Sequence, residues 1–203
     1  MCADTNTSDE LPDEGLDAEL LEDFQLLWDE AEALWCKYQE TPAFRGYVSA
    51  DYPAILECLC KLRGQVSTFL EWGSGLGVVA IMASRLGFEA CGIENEPILV
   101  DHARTLAEKY GPETRFGLGT FIPDEFDWNP AAGDQTDGTV LGDQSAYEEL
   151  DMELVDFDLV YAYPWPDELT LFKNIMRSCG APQSLFLSYD AREGAALVKI
   201  RRK

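Results

Sequence analysis

Basic residues are scarce in this 203-residue chain: 15 Lys and Arg stand against 38 Asp and Glu, with a single histidine and a formal net charge of −23. The shortage is local. Residues 1–32 carry 12 acids and no base, and residues 124–158 carry another 12 acids and again no base. Setting those 24 acids aside leaves 14 against all 15 bases, close to neutrality. Such a field repels a phosphate backbone and argues against nucleic acid as a partner, and the short basic stretch from Lys199 to Lys203 is too small to reverse it. No window approaches the roughly 18 consecutive apolar residues of a membrane span. The opening MCADTNTSDE has neither the basic start nor the apolar run of a signal peptide. The composition therefore predicts a soluble, cytoplasmic protein with no membrane partner. The six cysteines, at 2, 36, 58, 60, 91 and 179, form no CxxC pair, so neither a disulfide framework nor a metal site is expected.

What is present, 46% hydrophobic and 11% aromatic residues, suffices for one buried core. Residues 1–15 read as a disordered acidic tail and 16–203 as a single domain, opening with a helical cap over 16–64. Leu16, Leu20, Leu21, Phe24, Leu27, Trp28, Ala31, Leu34, Trp35 and Tyr38 recur at helical spacing, and the intervening acids, Asp23 and Glu30 among them, suit a solvated face. A second helix is predicted over Tyr52–Leu62, with Asp51 as its cap. Beyond Gly64, strands at 66–70, 89–93 and 115–118 alternate with helices at 78–86 and 97–110. A further strand (157–162), helix (167–178) and strand (185–189) follow, and 195–200 returns after a short connection as an antiparallel hairpin partner. This is an α/β chain with mostly parallel strands. The acidic insertion at 124–156 reads mainly as a mobile loop, with a helical turn or two around 144–154.

The clearest chemical signal is Glu71-Trp72-Gly73-Ser74-Gly75-Leu76-Gly77, where the first strand gives way to a helix. Glycines there allow a sharp turn and close approach to a ligand. The third glycine falls one residue too early for the dinucleotide pattern, with Val78 in its place, and Glu71 would repel a phosphate while welcoming an ammonium. That disfavours a nicotinamide dinucleotide. Glu94 ends the second strand and lies 21 residues beyond Gly73, where a carboxylate accepts hydrogen bonds from ribose hydroxyls. A ligand with ribose and an amino-acid end but no phosphate is S-adenosylmethionine.

Glu71 to Gly77 together with Glu94 resembles the cofactor site of class I S-adenosylmethionine-dependent methyltransferases. That likeness implies a three-layer Rossmann-like fold with sheet order 3-2-1-4-5, an antiparallel last strand and added N-terminal helices. It implies S-adenosylmethionine as cofactor, held by Glu71, Gly73, Ser74, Gly75 and Gly77 at the methionine part and by Glu94 and its neighbour Asn95 at the ribose. Thr120 and Phe121 follow the third strand, where the family contacts adenine. Tyr47, with Ser49 and Arg45, falls in a pre-strand segment that some members fold over the cofactor.

The fourth strand ends in Tyr161-Ala162-Tyr163-Pro164-Trp165-Pro166-Asp167-Glu168, at the crevice where a methyl acceptor belongs. The block resembles the [Asn/Asp]-Pro-Pro-aromatic motif of the amino-methylating branch, but Tyr163 replaces the Asn or Asp and Trp165 the second Pro. Tyr163, Trp165 and Asp167, with Glu168 beside them, are the candidate acceptor contacts; equally, the prolines and Trp165 shape a tight turn whose acids complement a helix N-terminus. His102, inside a helix, reads as packing rather than as a general base. Methyl transfer needs chiefly alignment, so the expected function is a methyltransferase acting on a small molecule or protein. The alternative is a non-catalytic module that binds S-adenosylmethionine. With one strand after the fifth, an uncovered sheet edge invites self-association.

Overall fold

A computed structural model describes residues 16–127, 139, 144–165 and 167–201. The tail over 1–15 and most of the middle of the acidic insertion lie outside the described residues. Helix α1 (Ala18–Tyr38) starts where the Asp17 carboxylate accepts the Leu20 N–H at 2.7 Å, and it buries Phe24, Leu27, Trp28 and Ala31. Trp28 Nε1 donates to Met82 Sδ at 3.2 Å. Two acids expected on a solvated face serve instead as docking contacts: Asp23 pairs with Arg85 at 2.7 Å, and Glu30 pairs with Lys109 at 2.6 Å and accepts the Tyr110 hydroxyl at 2.8 Å. The bases they meet belong to distant helices, so helical periodicity alone could not reveal the pairing. A short 3-10 turn at Pro42–Phe44 and an extended stretch lead to α2 (Tyr52–Leu62), capped as predicted by Asp51, which accepts the Ala54 N–H at 3.0 Å. Replacing that cap by Asp51→Ala is expected to cost about 1 kcal/mol, read as a lowered thermal midpoint without loss of secondary structure.

The alternating part runs β1 (Thr68–Trp72), α3 (Val78–Arg85), β2 (Glu89–Glu94), α4 (Pro97–Tyr110), β3 (Arg115–Leu118), α5 (Tyr147–Leu150), β4 (Leu159–Ala162), α6 (Leu169–Cys179), β5 (Leu185–Asp190) and β6 (Gly194–Lys199). The strands form one sheet in the order β3-β2-β1-β4-β5-β6, parallel except for the β5/β6 hairpin. Side chains alternate between its faces. Phe69, Leu159, Tyr161 and Leu187 join the core shared with α1 to α4, whereas Leu70, Trp72, Val160, Ala162 and Phe186 join the core under α5 and α6. Strand β1 sits two residues later than the sequence predicts. Val66 is drawn into an isolated bridge with Arg63, and the charged Glu71, which looks like a strand end, is a buried member of the strand.

The acidic insertion is not loop throughout. From Gln144 onward it packs on the sheet: Gln144 O accepts the Thr120 N–H, Thr120 O accepts the Ala146 N–H, each at 3.0 Å, and Ala146, Tyr147, Leu150 and Leu154 are buried. The approach is close enough that a Cβ on Gly117 would stand 2.8 Å from Ala146 O. The helical turns expected around 144–154 are there, at Tyr147–Leu150 and Leu154–Asp156, and the apolar residues of this part find a partner in β3 that only the folded chain supplies. Among the described residues, no helix is long and apolar enough to cross a membrane.

Candidate functional site

Connections leave β1 and β4 toward opposite faces of the sheet, which opens a crevice at their C-terminal ends. The loop after β1 is shaped by backbone: Gly73, Gly75 and Gly77 have φ of 65°, 53° and 71°, in the left-handed region that side chains avoid. Ser74 N–H donates to Ile93 O at 2.9 Å and Gly77 N–H to Ser74 O at 2.7 Å, tying the loop to β2 and closing it. A Cβ built on Gly73 meets nothing within 4 Å, whereas one on Gly75 would lie 2.5 Å from the Tyr47 ring and one on Gly77 2.4 Å from Phe116. Gly73 therefore presents bare backbone, Gly75 admits Tyr47, and Gly77 lets α3 settle on β3.

Glu71 is buried, and its Oε2 accepts the N–H of Ala80 at 2.8 Å, so a strand side chain caps α3, whose own N-cap is the side-chain-free Gly77. Burial, opposed by that N–H and reinforced by the nearby charge of Glu94, pushes the Glu71 carboxyl up to about 8. Glu94 straps the loop: Oε2 accepts the Gly75 N–H at 2.9 Å, and Oε1 accepts those of Asn95 at 2.8 Å and Glu96 at 2.9 Å. Its pKa too is shifted upward by burial, against the pull of the three N–H groups.

The walls come from three other segments. Between α1 and α2 the chain carries Tyr47, whose hydroxyl lies 3.0 Å from that of Tyr52. It is this connector, more than the helices expected to cap the site, that faces the crevice. After β3, Thr120 is held through its backbone to Gln144 and Ala146, and its hydroxyl accepts the Ile122 N–H at 3.3 Å. Phe121 stacks on Trp72 at 4.9 Å and 19°, and the Tyr147 hydroxyl joins the pair, accepting from Trp72 Nε1 at 3.0 Å and donating to Phe121 O at 2.9 Å. After β4, Tyr163 meets Tyr189 edge-on at 5.1 Å, and the half-exposed Trp165 lies over Gly46, 3.3 Å from where a Cβ would sit.

These segments enclose a cavity of about 800 Å³. Of the residues singled out in the sequence, Tyr47, Glu71, Gly73, Ser74, Gly75, Glu94, Asn95, Thr120, Phe121, Tyr163 and Trp165 line it. Gly77 and Asp167 do not. Gly77 is turned toward Phe116, and Asp167 is exposed, with φ of 72°. Glu168 is buried, away from solvent, where it accepts the Thr139 N–H at 3.1 Å and hydroxyl at 2.8 Å. His102 packs against the rings of Tyr38 and Phe44. Sequence reasoning missed Trp72, Thr139 and Arg192 in the lining. Trp72 sits inside the motif and could have been flagged; Arg192 lies in the β5/β6 connection, and neither it nor Thr139 belongs to a motif. Among the described residues, no group of three or more His, Cys, Asp or Glu could hold a metal ion. Two buried hydroxyls in the lining residues, those of Ser74 and Tyr161, have no hydrogen-bond partner among the described residues.

No protein-family model matches the sequence, and no curated protein does. Solved structures do match in fold. An RNA methyltransferase from Salinibacter ruber, determined with S-adenosyl-L-homocysteine, aligns at a TM-score of 0.54 and 18% identity over 77% of this chain and 95% of its own. A Staphylococcus aureus protein assigned as a caffeoyl-CoA O-methyltransferase aligns at 0.50 and 12% over 85% and 73%. A hypothetical protein of Thermus thermophilus aligns at 0.51 and 15% over 77% and 88%. With its sheet order, its loop after β1 and these likenesses, the chain has the Rossmann-like fold of the class I S-adenosylmethionine-dependent methyltransferases.

Proposed function

We propose that this protein is an S-adenosylmethionine-dependent methyltransferase. The observation that carries the reading is the pair of carboxyls, the buried Glu71 and the half-buried Glu94, on either side of a glycine loop with no base in it. A buried acid raised to about 8 keeps its proton until a cation arrives to favour the charged form, and an α-ammonium is the cation this ligand brings. Bare backbone at Gly73 and the unpartnered Ser74 hydroxyl fit the same group. A diphosphate would instead bring further negative charge beside the two carboxyls.

In this reading Glu71 holds the amino-acid end, Gly73, Ser74 and Gly75 let it approach the backbone, and Glu94 with Asn95 takes the ribose. Thr120 and Phe121 border the adenine, Phe121 being held in orientation by its stack on Trp72. Tyr47 closes the site from above Gly75, and Gly77 keeps the loop in shape without touching ligand. The bound cofactor supplies a methyl group already activated on a sulfonium. What the protein adds is alignment of an acceptor, and the aromatic walls at Tyr163 and Trp165 are the surfaces placed to do it. The net charge of −23 favours a small molecule or a protein over nucleic acid as that acceptor.

A second reading, a module that binds the cofactor without turnover, is favoured by one observation: Tyr163-Pro164-Trp165-Pro166 stands where amino-methylating relatives of the fold carry an Asn or Asp. One experiment separates them. Calorimetric titration with S-adenosylhomocysteine is expected to show saturable binding. Incubating the protein and a lysate with methyl-labelled S-adenosylmethionine, followed by mass spectrometry, should show label in an acceptor. Binding without any labelled acceptor supports the module; absence of binding removes both readings.

A further inference from the structure

Tyr161 is a tyrosine in the middle of a central strand, 1% exposed, and its hydroxyl has no hydrogen-bond partner among the described residues. A buried hydroxyl without a partner costs stability, and native structures seldom keep one without a use. Its position is informative. Tyr161 lines the cavity, and in the parallel pairing of β4 with β1 it stands directly opposite Glu71, on the same face of the sheet. The function proposed above gives Glu71 the ligand's α-ammonium, and in an amino acid the carboxylate is bonded to the same carbon. A donor one strand over from Glu71 is therefore where the carboxylate needs one.

We infer that the Tyr161 hydroxyl donates a hydrogen bond to the α-carboxylate of the bound ligand, so that Glu71 and Tyr161 together select the amino-acid end rather than the nucleoside. The inference rests on the adenosyl-ligand reading and adds to it a residue that discriminates between adenosyl ligands. As a donor the phenol must keep its proton, and it does: burial first, and then the charges of Glu71, Tyr163 and Tyr189, hold its pKa well above the ordinary phenol range. With Glu71 binding the ammonium and Tyr161 the carboxylate, the two groups would hold the ligand's amino-acid end at two points.

The test compares two ligands on the whole protein and on Tyr161→Phe, by calorimetry. S-adenosylhomocysteine carries the amino-acid end; 5′-methylthioadenosine lacks it and keeps the nucleoside. Loss of a hydrogen bond to a charged group is expected to weaken S-adenosylhomocysteine about tenfold or more while leaving methylthioadenosine within about twofold. The unliganded Tyr161→Phe protein should melt no lower than the wild type, since an unpartnered hydroxyl has been removed. Equal weakening of both ligands would mark Tyr161 as merely structural and overturn the inference, as would no weakening of either. If the wild type binds neither ligand, the adenosyl reading itself falls and takes the inference with it; wild-type binding that Tyr161→Phe leaves untouched sinks the inference alone.

Discussion

Glu94→Ala is expected to weaken S-adenosylhomocysteine binding about a hundredfold or more, measured calorimetrically. Two ribose hydroxyls donating to one carboxylate form charged hydrogen bonds of about 1.5–3 kcal/mol each, and about 1.4 kcal/mol is a factor of ten. A second loss adds to this. The same carboxylate accepts the N–H groups of Gly75, Asn95 and Glu96, so removing it loosens the glycine loop before any ligand arrives. The substitution should therefore also lower the thermal midpoint of the unliganded protein, by an amount corresponding to about 1–3 kcal/mol. Glu94→Gln separates the two effects. An amide oxygen can keep part of the backbone strap, so its melting should lie near that of the wild type while affinity stays depressed. An unchanged dissociation constant for Glu94→Ala would remove this residue from the ribose site.

Much of this architecture is legible in the chain because its signals are local. Helix α4 begins at Pro97 and ends at Tyr110 before Gly111, as the sequence predicts, because proline and glycine mark helix ends through their own backbone chemistry. The loop after β1 and the carboxylate ending β2 are readable for the same reason: glycine spacing and a charge at a strand end are properties of a few consecutive residues. What sequence reasoning loses is what distant segments supply to each other. Glu71 looks like the end of a strand, but the helix it caps nine residues later makes it a buried member of β1. Asp23 and Glu30 look solvated until α3 and α4 present Arg85 and Lys109. Glu168 reads as a helix-end charge, yet it is buried against Thr139, 29 residues earlier. Phe121 reads as an adenine neighbour, and what the sequence does not show is the stack on Trp72 that makes it a packed wall of the cavity.

The affinity for S-adenosylhomocysteine should climb with pH, up to about tenfold per unit, as the buffer is raised toward pH 8. Glu71 sets the sign. With its carboxyl pushed up to about 8 by burial, the unliganded protein holds a proton there through the neutral range. An ammonium placed beside it favours the ionised form, so binding must release that proton, and each unit below the free value costs up to a factor of ten. The dissociation constant at pH 6 is thus expected to exceed that at pH 8 by up to about fiftyfold, and the heat of binding should vary with the ionisation enthalpy of the buffer. Stability of the unliganded protein moves the other way. A carboxyl whose folded value is raised holds more protons folded than unfolded, so Glu71 favours the folded state at low pH, a contribution lost as pH rises from about 4.5 through 8, and Glu94 acts in the same direction. Opposite slopes for binding and for stability, from one group, are hard to obtain from a general loosening of the protein. Glu71→Gln supplies the control: its amide oxygen can still accept the Ala80 N–H and cap α3, but it cannot titrate. The pH dependence of binding should flatten to whatever Glu94 contributes, with affinity at pH 8 reduced by loss of the charge pair. A wild-type affinity that does not change between pH 6 and 8, with no proton released, would mean that no cation is bound at Glu71.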